Sequence, residues 1–257
     1  MNVLIITFSC IYQFIRYLIP NTRTYKKQVL LPAVYGVNRS FSKQVITGFS
    51  LNLSGSLSPV ICIVNQDYSG VEFEPTEWAI ITDRFPVIGK FFTAEDNIKE
   101  VPEAFNTPIL MPTHELAFTY SYGERAIIIK PAMPVSTDND GLGIKRARTY
   151  TPTVFMKRVS YLNLQRVLRC VTFQITSLRE ITHSANNCKD TLIAELDRRG
   201  DDTSSRDNIL GDLRLVLEKK GLWSPALNQL LLELLSLYNH EYLSFVRSTM
   251  EDQNSYK

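Results

Sequence analysis

The chain has 257 residues, of which 44% are hydrophobic, and its formal net charge is +2 at pH 7. This length and this apolar share allow one large domain or two modest ones with a sizeable core, and they exclude wholesale disorder. Glycine and proline are ordinary in number, which excludes collagen-like and low-complexity architectures, and no internal repeat is visible in the sequence.

The near-neutral total hides four blocks of charge. Residues 1–66 hold six bases and no acid, and residues 67–140 hold thirteen acids and five bases. Residues 141–179 hold eight bases and no acid, and the remaining residues hold thirteen acids and nine bases. The blocks therefore carry net charges of +6, −8, +8 and −4. Local fields of this size govern contact with phosphate-rich partners, so the pattern indicates a class of partner rather than an activity.

The cysteines are far apart and form no C-x-x-C pair. This spacing is typical of unpaired, mostly buried thiols in a reducing compartment. We therefore expect a cytoplasmic protein, and a position at the inner face of a membrane is left open. The four residues are Cys10, Cys62, Cys170 and Cys188.

Residues 1–26 form an apolar N-terminal segment. The first fifteen side chains carry no charge, Arg16 interrupts the run and Pro20 ends it. A secretory signal is excluded because the basic start and the small-residue cleavage site are missing, and the run is too short for a membrane span. Two interpretations stay open: a strand or helix docked on the core, or an interfacial anchor that gives peripheral membrane contact through residues 1–19.

Residues 27–135 are predicted to be a β-rich domain. Short, β-branched, partly alternating runs are separated by turn residues, which favours an antiparallel sandwich or barrel. No strand–helix alternation of the kind that a parallel nucleotide-binding sheet requires is visible. The predicted strands are residues 28–34, 44–53, 60–64, 78–82, 87–92, 116–120 and 126–130.

Residues 136–152 are predicted to be a linker or basic loop, and residues 153–257 a helical domain. Thr153 is the predicted cap of the first helix, although the alternating run 171–175 fits a strand equally well. A short helix is predicted from 190 to 199. Another follows from Ser205 to Gly221, and the last one begins with the strong Ser224–Pro225 signal and runs to about residue 250. The predicted fold class is α+β.

The acid-free block of residues 141–179 is the strongest functional signal. Arginine and lysine bind phosphate backbones and anionic lipid head groups, and six of the eight bases are arginine. Tyr150, Phe155 and Tyr161 lie between these bases and fit stacking on nucleic-acid bases. The expected partner is nucleic acid, RNA first, or an anionic membrane, helped by the bases from Arg16 to Lys43. The predicted anion-binding residues are Lys145, Arg146, Arg148, Lys157, Arg158, Arg166, Arg169 and Arg179.

An alternative for this block is internal neutralisation by the acidic segment that precedes it. The chain would then be an adaptor whose charge blocks cancel within the fold.

The last helix is apolar almost all round from residue 230 to 237. Such a helix is buried in a core or between subunits, so both monomer burial and a homo-oligomer seam fit. The predicted oligomerisation residues are Leu230, Leu231, Leu234, Leu235 and Tyr238.

Catalytic signals are weak. The three histidines lack the partners of a zinc site, and no nucleophile elbow, phosphate-cradling glycine loop or dinucleotide fingerprint is present. We therefore expect no metal and no cofactor. An enzyme would need a site assembled from separated residues, for example His114 with Glu115 and Asp138.

The composition as a whole favours a non-enzymatic interaction or assembly protein. A β module, a basic surface, few histidines and self-association are the general make-up of small viral structural, matrix or movement proteins. This likeness is one of architecture, and no motif of any one family is present.

Overall fold

The fold is α+β, as the sequence predicts. In the computed structural model, the described residues form two four-stranded antiparallel sheets and five α-helices, with a short 3₁₀ turn at Glu103–Phe105. The described residues are 29–52, 54–94, 100–132, 152–199, 206–221 and 223–237.

Sheet 1 is a meander whose strands pair in chain order. Asn52 sets the first tight turn, because its Oδ1 accepts hydrogen bonds from the backbone N–H groups of Ser54 and Ser56, at 3.0 and 2.9 Å. Alternation along the strands gives the sheet an inner face, which belongs to the main core, and an outer face on the opposite side. The strands are β1 (Leu30–Gly36), β2 (Lys43–Leu51), β3 (Leu57–Asn65) and β4 (Gly70–Phe73).

Two helices follow sheet 1 where the sequence predicted strands. Residues 78–82 lie in α1 (Pro75–Asp83), and residues 87–92 lie in α2 (Phe85–Thr93), so both strand predictions are wrong. Proline in the first turn of each helix is the start signal that the apolar, β-branched runs concealed. Burial on one side overrode the β propensity, because Trp78 and Ile81 of α1 pack into the core.

Sheet 2 is a second meander, and its hairpin turn uses Tyr122 and Gly123, at φ 53° and 76°, as the left-handed pair of a two-residue turn. The predicted strands 116–120 and 126–130 are confirmed. Residues 154–157 complete this sheet, so Thr153 precedes a strand and not a helix. The strands are β5 (Ile109–Leu110), β6 (His114–Ser121), β7 (Glu124–Pro131) and β8 (Val154–Lys157).

One helix of 42 residues, α3 (Arg158–Arg199), replaces the separate pieces predicted from the sequence. Residues 171–175 and 190–199 both lie within it. The next helix, α4 (Arg206–Lys219), ends as predicted just before Gly221, which has a positive φ of 66°. In α5 (Pro225–Leu237), the Ser224 hydroxyl caps the first turn by accepting the N–H of Leu227 at 3.3 Å.

Helix α3 lies across the inner face of sheet 1, and side-chain hydrogen bonds to the backbone hold it there. Asn186 bonds both the N–H and the carbonyl of Leu57, at 2.8 and 2.9 Å. The buried ammonium of Lys189 donates to the Gly55 carbonyl and meets Asp190 at 2.9 Å. A single core cluster runs from Leu30 to residues of α5, so it continues across the predicted linker.

The two sheets belong to a structural repeat that the sequence did not reveal. Each sheet is a four-strand meander followed directly by a helix, and the sheets meet where β3 contacts β8 and β4 contacts β7. If β1–β4 and β5–β8 are exchanged, the β3–β8 contact becomes the β7–β4 contact, as a two-fold relation requires. Core positions recur 83 residues apart with mostly different residue types, which hides the repeat. The buried pairs are Val71 and Val154, Phe73 and Met156, Trp78 and Tyr161, and Ile81 and Leu164.

Helix α5 buries four of the leucines predicted to form an oligomer seam within the single chain. Leu230 and Leu231 are fully buried, and Leu234 and Leu235 are 8% and 5% exposed, where α5 packs on β1, α3 and α4. These four side chains are therefore core and offer no exposed seam to a second subunit, while Tyr238 lies outside the described residues. Self-association stays a prediction, and it would need other surfaces.

Glu233 connects α5 to β1 of sheet 1, and its pKa leads to a prediction about pH-dependent stability. Its Oε2 accepts the backbone N–H of Leu31 at 2.6 Å, at a residue with a strained φ of 49°. Burial raises the pKa of the carboxyl above 4.5, and the hydrogen bonds from Gln229 and Leu31 oppose this only in part. The favourable protonated state is lost as pH rises through the native pKa.

Glu233→Gln, which keeps an acceptor, is therefore expected to raise the free energy of unfolding at pH 7.5 and to flatten its decline above pH 4.5. Chemical denaturation across this range is the measurement. Glu218→Gln on exposed α4 is the control, and a loss at pH 7.5 specific to Glu233→Gln would contradict the expectation.

Candidate anion-binding interface

The long helix α3 separates an apolar side from an exposed side along its whole length. Its buried positions recur at three- and four-residue spacing, as an amphipathic helix requires. They are Tyr161, Leu164, Val171, Ile175, Leu178, Ala185, Cys188, Leu192 and Leu196. Residues between them must face outward, and here the outward residues are mainly arginine and polar.

Five exposed side chains of α3 form one stripe, which we name the arginine stripe. At about 100° per residue they fall within an arc of about 80°, and they extend over about 22 Å of helix at 1.5 Å per residue. The stripe consists of Arg158, Leu162, Arg166, Arg169 and Phe173. Arg179 is exposed as well and lies off to one side of the stripe, about 32 Å along the helix from Arg158. Phe173 is 72% exposed, which is uncommon for a phenylalanine outside an interface.

No ion pair neutralises these arginines within the described part of the chain. Carboxylates of the described residues lie beyond 4.0 Å from the guanidinium groups of Arg158, Arg166, Arg169 and Arg179. Among the described residues, Arg166 donates a side-chain hydrogen bond to Asn163 at 3.2 Å. Four solvated positive charges on an acid-free stretch of helix therefore produce a positive surface.

Of the remaining predicted bases, one is in an ion pair and three lie outside the described residues. Lys157 on β8 pairs with Glu124 at 3.3 Å, which is internal neutralisation by the acidic segment. Lys145, Arg146 and Arg148 lie outside the described residues, in the connection between β7 and β8.

The N-terminal bases contribute less to a described surface. Those up to Lys27 lie outside the described residues, and Arg39 is exposed. Lys43 is half-buried, and burial lowers the pKa of its ammonium group.

The aromatic side chains expected to stack on bases are differently placed. Tyr161 is 1% exposed and donates its hydroxyl to the Phe85 carbonyl at 2.7 Å, so it is core and cannot stack on a ligand. Phe155 is half-buried on the outward face of sheet 2, and Tyr150 lies outside the described residues. Phe173, which sequence reasoning missed, is an exposed aromatic residue of α3. Continuing the three- and four-residue periodicity of α3 through residues 171–175 would have found it.

A buried polar cluster joins α1 to sheet 2. Glu77, 4% exposed, accepts the backbone N–H of Thr113 at 3.0 Å and its hydroxyl at 2.6 Å. His114 Nδ1 lies 2.7 Å from the Thr113 hydroxyl and 3.2 Å from Glu77 Oε2, an arrangement that is satisfied when Nδ1 carries the hydrogen. Burial opposes the charge of Glu77, but the hydrogen bonds from Thr113 and the interaction with His114 outweigh it, so the pKa falls below 4.5.

This cluster does not assemble the catalytic trio considered from the sequence. Glu115 lies on the opposite face of β6 from His114 and pairs with Lys130 at 2.7 Å, and Asp138 lies outside the described residues. His114 packs against the ring of Phe73, with centroids 4.6 Å apart, and is 6% exposed. Its contacts are those of a side chain that fixes α1 on sheet 2.

Metal and thiol chemistry find no support in the described residues. No group of three or more histidine, cysteine or acidic side chains there is placed to hold a metal ion. His183 is exposed and contacts Asn187 at 3.1 Å. Burial raises the pKa of the Cys188 thiol to about 12, which makes it a poor nucleophile.

Within the described ranges, no helix combines the length and the hydropathy needed to cross a bilayer. Comparison with known proteins adds no functional assignment, because no protein-family model, no curated protein and no solved structure matches the chain.

Proposed function

We propose that this protein binds nucleic acid, RNA first, through the arginine stripe of α3. The observation that carries the proposal is the exposure of Arg158, Arg166 and Arg169 beside Phe173 on an acid-free helix face, with no described carboxylate in ion-pair range. Guanidinium groups bind phosphate oxygens through paired, charge-assisted hydrogen bonds. Phe173 supplies a face on which an unpaired base can stack.

The mixture of side chains on the stripe favours nucleic acid over a lipid surface. A helix that binds a membrane surface turns a broad apolar face to the lipid and keeps its bases at the polar edges. The broad apolar face of α3 is already used by the core, and its exposed face alternates arginine with single apolar side chains. Alternating cations and isolated aromatics are typical of single-stranded nucleic-acid sites.

The sequence shortly before β8 holds three further bases. Lys145, Arg146 and Arg148 precede β8 in the chain, and β8 runs directly into Arg158. The proposal therefore includes these three bases as additional phosphate contacts. The separated cysteines, with Cys170 exposed on α3, support a reducing compartment such as the cytoplasm as the place of binding.

The test is a salt series of binding to single-stranded RNA. The variant carries Arg158→Gln, Arg166→Gln, Arg169→Gln and Arg179→Gln, since glutamine preserves helix propensity and removes one charge at each position. The parent is expected to bind with a steep dependence of log K on log salt. The variant is expected to lose binding at physiological salt and about 3 units of slope, at about 0.7–0.9 per phosphate contact.

A control variant removes the same charge elsewhere. Arg84→Gln, Lys90→Gln, Lys219→Gln and Lys220→Gln alter four exposed bases outside the stripe and the loop. If both variants lose RNA binding equally, the effect is one of net charge alone. If the variant with the four α3 substitutions binds RNA as the parent does, the adaptor with internally neutralised charges is favoured. Vesicles of phosphatidylserine and phosphatidylcholine are run in parallel. Stripe-dependent binding to vesicles without binding to RNA would replace the proposal by an anionic membrane.

An assembly role of the viral structural, matrix or movement type is the second half of this proposal. It is motivated by composition and requires self-association. The buried leucines of α5 cannot supply the contact, so light scattering with and without RNA is the relevant measurement. A chain that stays monomeric in both conditions would limit the function to binding.

A further inference from the structure

The outer face of sheet 1 carries an apolar cluster that needs a cover. Val60, Cys62 and Val64 on β3 are only 3%, 8% and 8% exposed, and they form a cluster separate from the main core. The described apolar residues packed against them are Val29 and Ile46. Side chains at the level of the sheet cannot shield a valine from above, so the cover comes from outside the described residues.

The matching face of sheet 2 shows what an uncovered face looks like in this protein. It carries two ion pairs, Glu115 with Lys130 and Glu124 with Lys157, and the residues in these pairs are half-buried or exposed. In each sheet this is the face opposite the one that contributes to the main core. The outer face of sheet 1 carries the apolar cluster, with Glu72 as the charged neighbour of Cys62, whereas the outer face of sheet 2 carries two ion pairs. This contrast indicates a cover over the cluster of sheet 1.

The path of the chain indicates which segment covers sheet 1. Val29, the first described residue, lies against the outer face at Gly48, where an added Cβ would collide with the Val29 side chain and the Leu30 carbonyl. The N-terminal end of the described chain therefore lies at this face. The described end of α5, by contrast, packs in the main core up to Leu235.

We propose that residues 1–19, the apolar start of the chain, pack on the outer face of sheet 1 over Val60, Cys62 and Val64. The first fifteen residues have no charged side chain, which matches the apolar side chains of the cluster. The same segment cannot serve as a membrane anchor without uncovering Cys62. The proposal is independent of nucleic-acid binding.

Pulsed labelling with N-ethylmaleimide, read for each cysteine by mass spectrometry, tests the cover in the full chain. In the parent, Cys170 is expected to react fast and Cys62 and Cys188 slowly. The variant Ile5→Asp with Ile11→Asp charges the segment, and it is expected to speed the labelling of Cys62 about tenfold or more while Cys188 stays protected. The control is Leu215→Asp with Val216→Asp at exposed positions of α4, which should leave Cys62 slow. A Cys62 rate unchanged by charge in the segment would overturn the proposal.

A second measurement needs no substitution and therefore no assumption about folding of a variant. Cys10 lies within the proposed cover, so a short bismaleimide is expected to join Cys10 to Cys62 within one chain, at the slow rate at which Cys62 reacts. It should not join Cys10 to Cys170, which lies on α3 across the sheet. A Cys10–Cys170 link without a Cys10–Cys62 link would overturn the proposal. So would protection of Cys62 that persists while vesicles of phosphatidylserine and phosphatidylcholine bind residues 1–19.

Discussion

Replacing Glu77 by glutamine is expected to lower the free energy of unfolding by about 1–3 kcal/mol at pH 7, because a buried carboxylate loses its charge-assisted hydrogen bonds. Glu77 holds α1 on sheet 2 through Thr113, at 3.0 and 2.6 Å, and through His114. Its native pKa lies below 4.5, so its contribution is present above pH 4.5 and is lost as pH falls through the native value. The parent and Glu77→Gln should therefore converge in acid.

The matched control is Glu115→Gln, which lies next to His114 and on the opposite face of β6 from it. Glu115 pairs with Lys130 and its side chain is 22% exposed, so its loss should cost about 0–1 kcal/mol. Urea denaturation from pH 3.5 to 7.5 is the measurement. Equal effects of the two substitutions at pH 7, or a Glu77→Gln deficit that persists undiminished in acid, would show that the cluster contributes no specific pH-dependent stability.

Replacing Leu231 by alanine is expected to cost about 2–5 kcal/mol, since it empties a fully buried site in the core between α5 and its neighbours. Because the contacts lie within one chain, the loss should not depend on protein concentration. Thermal unfolding at protein concentrations that differ a hundredfold measures this. The effect should exceed that of any substitution on an exposed helix face.

The next residue supplies the control. Leu232 is 42% exposed, and Leu232→Ala should stay within about 1 kcal/mol of the parent. A transition temperature that rises with concentration in the parent and not in Leu231→Ala would place Leu231 in a seam between subunits. That outcome would restore the oligomer interpretation of α5.

Part of the candidate interface could be predicted from the sequence. The acid-free block of residues 141–179 identified Arg158, Arg166, Arg169 and Arg179 because charge is a property of each residue by itself. Which of the bases have partners could not be predicted. The pairing of Lys157 with Glu124 depends on the register of β7 and β8, strands separated by a long connection.

The aromatic assignments failed for a related reason. Tyr161 and Phe173 have similar neighbours in the sequence, yet Tyr161 is core and Phe173 is 72% exposed. The difference follows from the continuity of α3, because a helix beginning at Arg158 places residue 161 toward Phe85 and residue 173 away from the sheets. Local alternation at residues 171–175 left that continuity undecided.

The sequence by itself determined the α+β class, the strands of both hairpins, the capped start of α5 and the arginine-rich block, since each follows from neighbouring residues. The tertiary structure decided that residues 75–93 are helical, that residues 154–157 close sheet 2, and that two four-strand units repeat. It also decided that His114 belongs with Glu77 and that Leu230, Leu231, Leu234 and Leu235 are core. These features depend on contacts between residues far apart in the chain, and hydrophobic periodicity specifies which face is buried without specifying what buries it.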